Sequence, residues 1–150
     1  MHVPENVELR AAAIASYHRR GGLWAECIEL EGCVTQGRSQ SELRANMREA
    51  LNLFLEEPAS SRVVFPPPSA IRKSADVVPV EVDPGVAFAV QLRQCRMRNH
   101  LTQKETARQL RMRNLYSYQR LERRSNPSLS TLMRVKRLFP DFSLDSVIGG

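Results

Sequence analysis

Arginine side chains concentrate in one stretch of this sequence, between residues 108 and 124. Clustered guanidinium groups neutralise the phosphates of a nucleic acid, which fixes its position and makes binding depend on salt. Arg108, Arg123 and Arg124 are candidates for such contacts. Because a single arginine is as often part of a solvated surface, the prediction of a polyanion-binding site depends on the whole cluster.

Cysteine and histidine residues form no catalytic or metal-binding pattern. The three cysteines are an odd number without a C-x-x-C pair, which disfavours a disulfide framework or a zinc site and fits a reducing cytoplasm. The histidines are scattered, so we expect them on the surface, whereas Cys33 and Cys95 are expected to pack as small core residues. The residues concerned are Cys27, Cys33, Cys95, His2, His18 and His100.

The chain divides by charge at Asp83 and Pro84. Its 150 residues carry a net charge of +6, but residues 1–83 hold 9 basic and 12 acidic side chains, a net charge of −3. Residues 84–150 hold 13 basic and 4 acidic side chains, a net charge of +9. The sequence therefore predicts two modules with different partners, and the basic module is expected to bind a polyanion.

The composition excludes several classes of protein. A hydrophobic fraction of 42% with 25% charged residues is typical of a globular chain. No run of 18 apolar residues predicts a membrane span, and residues 1–10 lack the apolar segment of a secretory signal. We therefore expect a cytoplasmic protein that has no membrane partner.

Hydrophobic periodicity in residues 1–83 predicts three strands, a helix and a fourth strand. Residues 23–28 alternate between two faces, and Gly21 and Gly22 supply the positive φ of the turn before them. Pro79 cannot donate a ladder hydrogen bond, so the last strand is expected at a sheet edge. The predicted elements are strands over 11–18, 23–28 and 33–36, a helix over 43–57, a Pro- and Ser-rich loop over 58–76 and a strand over 77–82. The apolar stripe of the helix is Leu43, Met47, Ala50, Leu51, Phe54 and Leu55.

Residues 84–150 predict five short helices. The first is expected to start at Pro84 after a cap at Asp83, and Thr102 with Glu105 forms a capping box for the second. The third helix is expected at about 114–123, and a turn of three to four residues separates it from the second. This arrangement is the plan of a helix-turn-helix. The apolar faces of the third and fourth helices are Leu115, Tyr118 and Leu121, and Leu129, Leu132, Val135 and Leu138.

Residues 10–83 resemble the HicB family of antitoxins. The matching features are the Gly turn, the strand with Trp24, Ala25 and Glu26, the segment GCVTQG at 32–37, the amphipathic helix and the Pro-Pro-Pro-Ser loop. The resemblance implies a partial RNase H-like fold that binds and silences a HicA toxin, a small ribonuclease. The candidates for contacts to such a basic toxin are Trp24, Glu26, Glu29 and Glu31.

An active nuclease is the alternative that this fold raises. RNase H chemistry needs converging carboxylates that hold two divalent ions about 4 Å apart. The predicted strands offer only Glu26 and Glu81, while Glu29 and Glu31 fall in a turn. We therefore expect no enzyme activity, no cofactor and no metal site, and interpret these carboxylates as a solvated rim or as an acidic surface for a basic partner.

Residues 86–148 resemble the Cro/CI-like, or xenobiotic-response-element, family of DNA-binding domains. The match is carried by LTQKETARQL at 101–110, by Leu121 and Glu122, and by NPSLSTL at 126–132. His100 and Arg111 stand where the family usually has Gly, and either residue in a left-handed conformation would cost about 1 kcal/mol. The expected fold class is α+β: a partial RNase H-like βββαβ domain over 1–83, then an all-α five-helix helix-turn-helix domain over 84–150.

This second resemblance implies that the third helix of the domain enters the major groove of DNA. Gln103 matches a family glutamine that contacts backbone or base, and Arg96 and Glu122 match a pair that we expect to be structural. By periodicity Tyr118 rather than Tyr116 is the buried tyrosine. The candidates for base contacts are Arg113, Asn114, Tyr116, Ser117, Gln119 and Arg120.

Two functional hypotheses follow from these features. The first is a bacterial cytoplasmic antitoxin of a type II toxin–antitoxin system, which neutralises a HicA-like mRNA-cleaving toxin and represses its own operon. It would bind operator DNA as a homodimer or larger oligomer, on half-sites spaced about 34 Å per helical turn. The alternative is a solitary helix-turn-helix regulator whose N-terminal domain binds another protein or a small effector.

Overall fold

The computed structural model describes residues 11–14, 22–28, 30–56 and 77–148. The described residues form a mixed α+β structure, which confirms the expected class. They divide into two compact units: the described residues up to Leu55 and those over 77–83 belong to the N-terminal unit, and Glu56 groups with residues 84–148 in the C-terminal unit. The N-terminal unit contains the strands and one helix, and the C-terminal unit over 84–148 contains five helices. None of the described helices is long and apolar enough to cross a membrane.

Four antiparallel strands form the sheet of the N-terminal unit, in the order β3-β2-β1-β4. Ala25 of β2 lies opposite Thr35 of β3, and Ala12 of β1 lies opposite Pro79 of β4. The sheet therefore places β4 at one edge, where Pro79 predicted it. The strands are β1 (Ala11–Ile14), β2 (Leu23–Cys27), β3 (Val34–Gly37) and β4 (Val77–Val80). The parts of the predicted first strand, turn and Pro-rich loop at 15–21 and 57–76 lie outside the described residues.

Helix α1 (Gln40–Leu55) covers one face of this sheet. Ser39 caps its first turn, because the Ser39 hydroxyl accepts a hydrogen bond from the Glu42 backbone N–H at 3.1 Å. The buried row advances four residues at a time, through Leu43, Met47, Leu51 and Leu55. Phe54, predicted on this stripe, is 37% exposed instead. It lies about 100° around the helix from Leu55, which turns it away from the row that meets the sheet.

Gly37 allows α1 to pass close to the end of β3. A Cβ atom at this position would lie 2.6 Å from the Leu43 backbone nitrogen and 2.8 Å from the Leu43 Cα. Both are backbone atoms, so no side-chain rotation relieves the contact. The helix and the strand therefore pack at this distance only because residue 37 has no side chain.

The residues after β4 are tied to α1 by side-chain hydrogen bonds. Arg48 donates to the Asp83 carboxylate at 2.7 Å, and the Asp83 backbone N–H donates to the Asn52 side-chain oxygen at 2.7 Å. Asn52 is buried and also donates to the Arg48 backbone carbonyl. Asp83, expected as the cap before Pro84, thus anchors the end of the N-terminal unit to α1.

The C-terminal unit packs five helices around an aromatic core. The fully buried Phe88 and Phe142 rings meet edge to face, with centroids 5.6 Å apart. Two predicted core residues are wrong: Leu115 is 40% exposed and Leu129 is 75% exposed. Each is the first residue of its helix, where no preceding turn packs beside it. The helices are α2 (Pro84–Arg98), α3 (Gln103–Gln109), α4 (Leu115–Leu121), α5 (Leu129–Leu138) and α6 (Asp145–Ile148).

Candidate functional site

Helices α3 and α4 form the core of the candidate site in the C-terminal unit, and they pack against each other. A complete capping box starts α3: Thr102 accepts from the Glu105 backbone, and the Glu105 carboxylate accepts from the Thr102 backbone at 2.7 Å. The turn between the two helices reverses through Arg111, whose φ is 56°. These local features fix where α4 starts relative to α3.

The two faces of α4 differ sharply in environment. Tyr118 and Leu121 are buried against the core, whereas Tyr116 is 64% exposed and Arg120 is exposed. Ser117 and Gln119 are half-buried between these faces. The helix thus presents a polar outer surface, and its tyrosines divide as the periodicity predicted.

Asn114 has a structural role at the start of α4. Its side-chain oxygen accepts a hydrogen bond from the Ser117 backbone N–H at 2.8 Å, so it is the N-cap residue and the helix begins at Leu115. Arg113 precedes the cap and is exposed. Of the residues proposed to contact bases, Asn114 is therefore the one whose side-chain oxygen already has a partner within the turn.

A chain of hydrogen bonds joins α3 to α4. The Gln119 amide donates to the Gln103 side-chain oxygen at 3.2 Å, and the Gln103 amide donates to the Glu122 carboxylate at 3.0 Å. Gln103 is half-buried, as is Gln119. Gln103 thus bonds to both the buried acid and Gln119, and joins the two helices.

Glu122 is the centre of this network and is itself buried. Arg96 donates to both of its carboxylate oxygens, at 2.5 and 3.2 Å, and the Tyr118 hydroxyl donates at 2.6 Å. Burial acts to raise the pKa of Glu122, but the hydrogen bonds from Arg96, Tyr118 and Gln103 outweigh it and hold that pKa below its usual value. Burial and the neighbouring carboxylate raise the pKa of Tyr118, so the phenol stays a donor. The structure thus contains the ion pair expected between Arg96 and Glu122.

Arg93 is a member of this cluster that the sequence analysis missed. It is 4% exposed, and its Nε lies 3.7 Å from a carboxylate oxygen of Glu122. Its spacing of three residues from Arg96 places both arginines on the same side of α2. That spacing is the signal that could have identified a second cation beside the buried acid.

The remaining basic candidates lie on the surface of the unit. Arg108, Arg113, Arg120 and Arg123 are exposed, and none forms an ion pair with a carboxylate of the described chain. Arg124 lies 3.7 Å from the Glu56 carboxylate. The guanidinium groups of Arg108, Arg113, Arg120 and Arg123 are therefore available to an anionic ligand.

The toxin-contact candidates of the N-terminal unit lie on β2 and in the turn after it. Trp24 and Glu26 are half-buried on the face of β2 opposite the buried Ala25 and Cys27, and Glu31 is exposed in the turn. Glu29 lies outside the described residues. Among the residues that the structure describes, no group of three or more His, Cys, Asp or Glu side chains is placed to hold a metal ion.

A polar cleft of about 450 Å³ lies beside Trp24, where the ends of β2 and β3 meet the first turns of α1. Asn46 crosses it to donate to the Gln36 backbone carbonyl at 2.9 Å, and Glu42 accepts from the Arg38 backbone N–H. Two pairs of polar groups in the cleft thus bond to each other. The lining residues are Gly22, Leu23, Trp24, Gln36, Gly37, Arg38, Glu42 and Asn46.

Comparisons of the chain with models of protein families and with curated proteins give no match. The fold and site define an α+β protein that carries an exposed basic helical surface around α4.

Proposed function

We propose that the C-terminal unit is a helix-turn-helix domain that binds operator DNA. The observation that carries this proposal is the pair α3 and α4, whose inner faces are buried while the outer face of α4 carries Tyr116 and Arg120. In such a domain the second helix of the pair enters the major groove, where side chains distinguish base pairs by their edges. The net charge of +9 over 84–150 supports the same ligand.

The proposed contacts divide into two groups. Arg113, Tyr116, Ser117, Gln119 and Arg120 lie at the start of α4 or along it and would face base edges. Asn114 stands with this group, with its amide nitrogen available once its oxygen has capped the helix. The residues that would position the domain on phosphates are Arg108, Arg123 and Arg124, with Gln103 at the start of α3.

We propose further that the whole chain is an antitoxin of a type II toxin–antitoxin system, with its N-terminal unit as the toxin-binding part. The support is the resemblance of residues 10–83 to HicB antitoxins and the net charge of −3 over 1–83. Trp24, Glu26 and Glu31 would contact a basic HicA-like toxin, since opposite charges speed encounter and an aromatic side chain supplies buried area. Glu29 belongs to the same proposed surface.

Co-expression tests toxin neutralisation directly. The candidate toxin is a short basic protein encoded by a reading frame next to that of this chain. It is expressed alone and then together with this chain, and growth and co-purification are measured. We expect growth to recover and both chains to elute together. Truncation of Trp24 together with charge reversal at Glu26 (Trp24→Ala with Glu26→Lys) should weaken the complex. Arg44→Ala, which changes an exposed residue of α1, should not. A chain that binds DNA but leaves the toxin lethal and unbound would favour the solitary regulator.

DNA binding is tested with the DNA upstream of the chain's own reading frame. Arg120→Ala and Arg113→Ala should weaken binding to this DNA more than to unrelated DNA, while Arg108→Ala should weaken both alike and reduce the salt slope by about 1 for each subunit bound. Arg44→Ala is the matched control for loss of an exposed arginine. Equal losses for all four variants would contradict the assignment of α4 to the groove.

A further inference from the structure

Cys27 and Cys33 lie directly opposite each other at the closed end of the β2–β3 hairpin. The register pairs Glu26 with Val34, so the next pair towards the turn is Cys27 with Cys33. The Cys27 backbone N–H donates to the Cys33 backbone carbonyl at 2.9 Å, so the two residues still face each other beyond the last ladder pair, while the Cys33 N–H turns to the Leu30 carbonyl at 3.1 Å. Opposite residues of a hydrogen-bonded pair have Cα atoms about 5.5 Å apart, within the usual range of about 4.4–6.8 Å for a disulfide.

Both thiols also point to the same side of the sheet. Ala25 and Cys27 share the buried face of β2, and Cys33 is on the face of β3 to which Gly37 belongs, where α1 packs. Each cysteine is 2% exposed, and both are present as thiols. Both side chains therefore lie in the same buried layer, and five residues separate them in the sequence.

The geometry indicates a bond that would be strained. At hydrogen-bonded positions of an antiparallel pair the Cβ atoms are about 5.5 Å apart, whereas a relaxed disulfide needs about 3.5–4.5 Å. Closing this gap twists the hairpin, and strained disulfides have less negative reduction potentials than structural ones. Such a bond is reduced by thiols more readily than a structural disulfide, so it is reversible once formed.

We propose that Cys27 and Cys33 are a modification site. They form a dithiol that is oxidised to a reversible intramolecular disulfide by exchange with a low-molecular-weight disulfide such as oxidised glutathione. The disulfide would join the two strands at the base of the turn that contains the exposed Glu31. The proposal depends only on the hairpin geometry and not on the function of the N-terminal unit.

The exchange proceeds in two steps that balance. A thiolate of one cysteine attacks a sulfur of oxidised glutathione, forms a mixed disulfide and releases one glutathione thiolate. The second cysteine, after losing its proton, attacks the protein sulfur of that mixed disulfide and releases the second glutathione thiolate. Two electrons pass from the protein to the glutathione disulfide, and the two thiol protons end on the released glutathione. Each cysteine is only 2% exposed, so attack requires the hairpin end to open first, and burial also raises the pKa of Cys33.

The test is made on the full chain under native conditions. The protein is equilibrated with glutathione buffers of increasing oxidised fraction, quenched with acid, alkylated in denaturant and analysed by intact mass and peptide mapping. We expect a species lighter by two hydrogens with one alkylated thiol left, Cys95, and a cross-linked peptide that joins residues 27 and 33. Reduced glutathione should return this species to three alkylated thiols.

Variants separate this pair from other thiol chemistry. Cys95→Ala should form the disulfide like the original chain, while Cys27→Ala and Cys33→Ala should gain at most a glutathione adduct; far-UV circular dichroism verifies that each variant is folded. Three alkylatable thiols at every buffer ratio, a cross-link that includes Cys95, or oxidation only in denaturant would overturn the proposal. A disulfide that reduced glutathione cannot reverse would overturn its reversible character.

Discussion

At the scale of single residues, Glu122 does most to organise the C-terminal unit. It is 3% exposed, yet it accepts hydrogen bonds from Arg96, Tyr118 and Gln103. A buried ion pair contributes little to stability when it is compared with apolar residues in place of both partners. Removal of one partner is costly, because the other charge is left without a counter-charge. The cluster is therefore sensitive to single substitutions, and Arg93 adds to that sensitivity because it lies beside the same acid.

Glu122→Gln should lower the free energy of unfolding of the C-terminal unit by about 3 kcal/mol, because it leaves the half-buried Arg96 and the buried Arg93 without a counter-charge. Chemical denaturation followed by far-UV circular dichroism measures the change. The control is Asp141→Asn, which removes a surface ion pair with Arg98 at 3.0 Å and should cost less than about 1 kcal/mol. Similar losses for both variants would contradict the role given to burial.

The acid stability of the unit should depend on the same carboxylate. The pKa of Glu122 is lower in the folded chain, so its contribution to stability is present above the unfolded value of about 4.3 and is lost as the pH falls through the folded value. Denaturation midpoints measured from pH 7 downward, to about pH 2, should fall steeply in the original chain. In Glu122→Gln this slope should be shallower, and an unchanged slope would assign acid sensitivity to other carboxylates.

His100 and Arg111 both have the left-handed backbone conformation that the missing glycines implied, with φ of 55° and 56°. His100→Gly and Arg111→Gly should each raise the free energy of unfolding by about 1 kcal/mol, since glycine adopts this conformation without steric cost. Denaturation curves measure the gain. Alanine at the same positions keeps the strain, so equal stability of the Ala and Gly variants would rule out this explanation.

At the scale of elements, close approach and caps determine which helices and strands meet. The Thr102 and Glu105 capping box begins α3, and the Asn114 cap begins α4. These caps fix where the two short helices start, although neither helix has a long apolar face. In the N-terminal unit the crossing of α1 over β3 depends instead on the absence of a side chain at Gly37. Caps thus position the short helices α3 and α4, whereas steric fit at Gly37 positions the longer helix α1.

Gly37→Ala should destabilise the N-terminal unit by about 1–3 kcal/mol, because its Cβ would overlap the Leu43 backbone. The single tryptophan of the chain, Trp24, lies in this unit, so its fluorescence reports unfolding of the unit separately. Gly32→Ala is the comparison: nothing lies near its Cβ, but φ is +86°, so its loss comes from backbone strain alone. A repacked helix α1 with no loss of stability would disprove the close-contact argument.

At the scale of the whole molecule, charge is divided between the two units. A fragment of residues 84–150 should keep salt-sensitive DNA binding, because it retains the net charge of +9 and all the proposed contacts. If Arg108, Arg123 and Arg124 act from both subunits of a dimer, about six phosphates are neutralised, and affinity should fall roughly 10³-fold between about 50 and 200 mM salt.

Fluorescence anisotropy with labelled upstream DNA measures this dependence, and a fragment of residues 1–83 is the control that should not bind. A fragment of 84–150 that ignores DNA at low salt would contradict either the proposed helix-turn-helix or the proposed dimer.

The sequence by itself determined the order of the elements and the chemistry of their ends. Alternation and three-to-four spacing predicted the β-β-β-α-β order and the five helices, since these signals depend on neighbours in the chain. The capping box was likewise visible, because a cap is local, whereas the left-handed conformation of His100 and Arg111 was expected only from the resemblance to a family with Gly at these positions.

The tertiary structure alone decided which apolar residues are covered and which polar groups meet. Leu115, Leu129 and Phe54 fit helical stripes but are exposed, because coverage depends on what packs against each turn and not on periodicity. Arg93 joined the Glu122 cluster, and Cys27 met Cys33 across a hairpin, through contacts that only the pairing of elements creates. Local patterns fix conformation, but burial and partnership are set by distant parts of the chain.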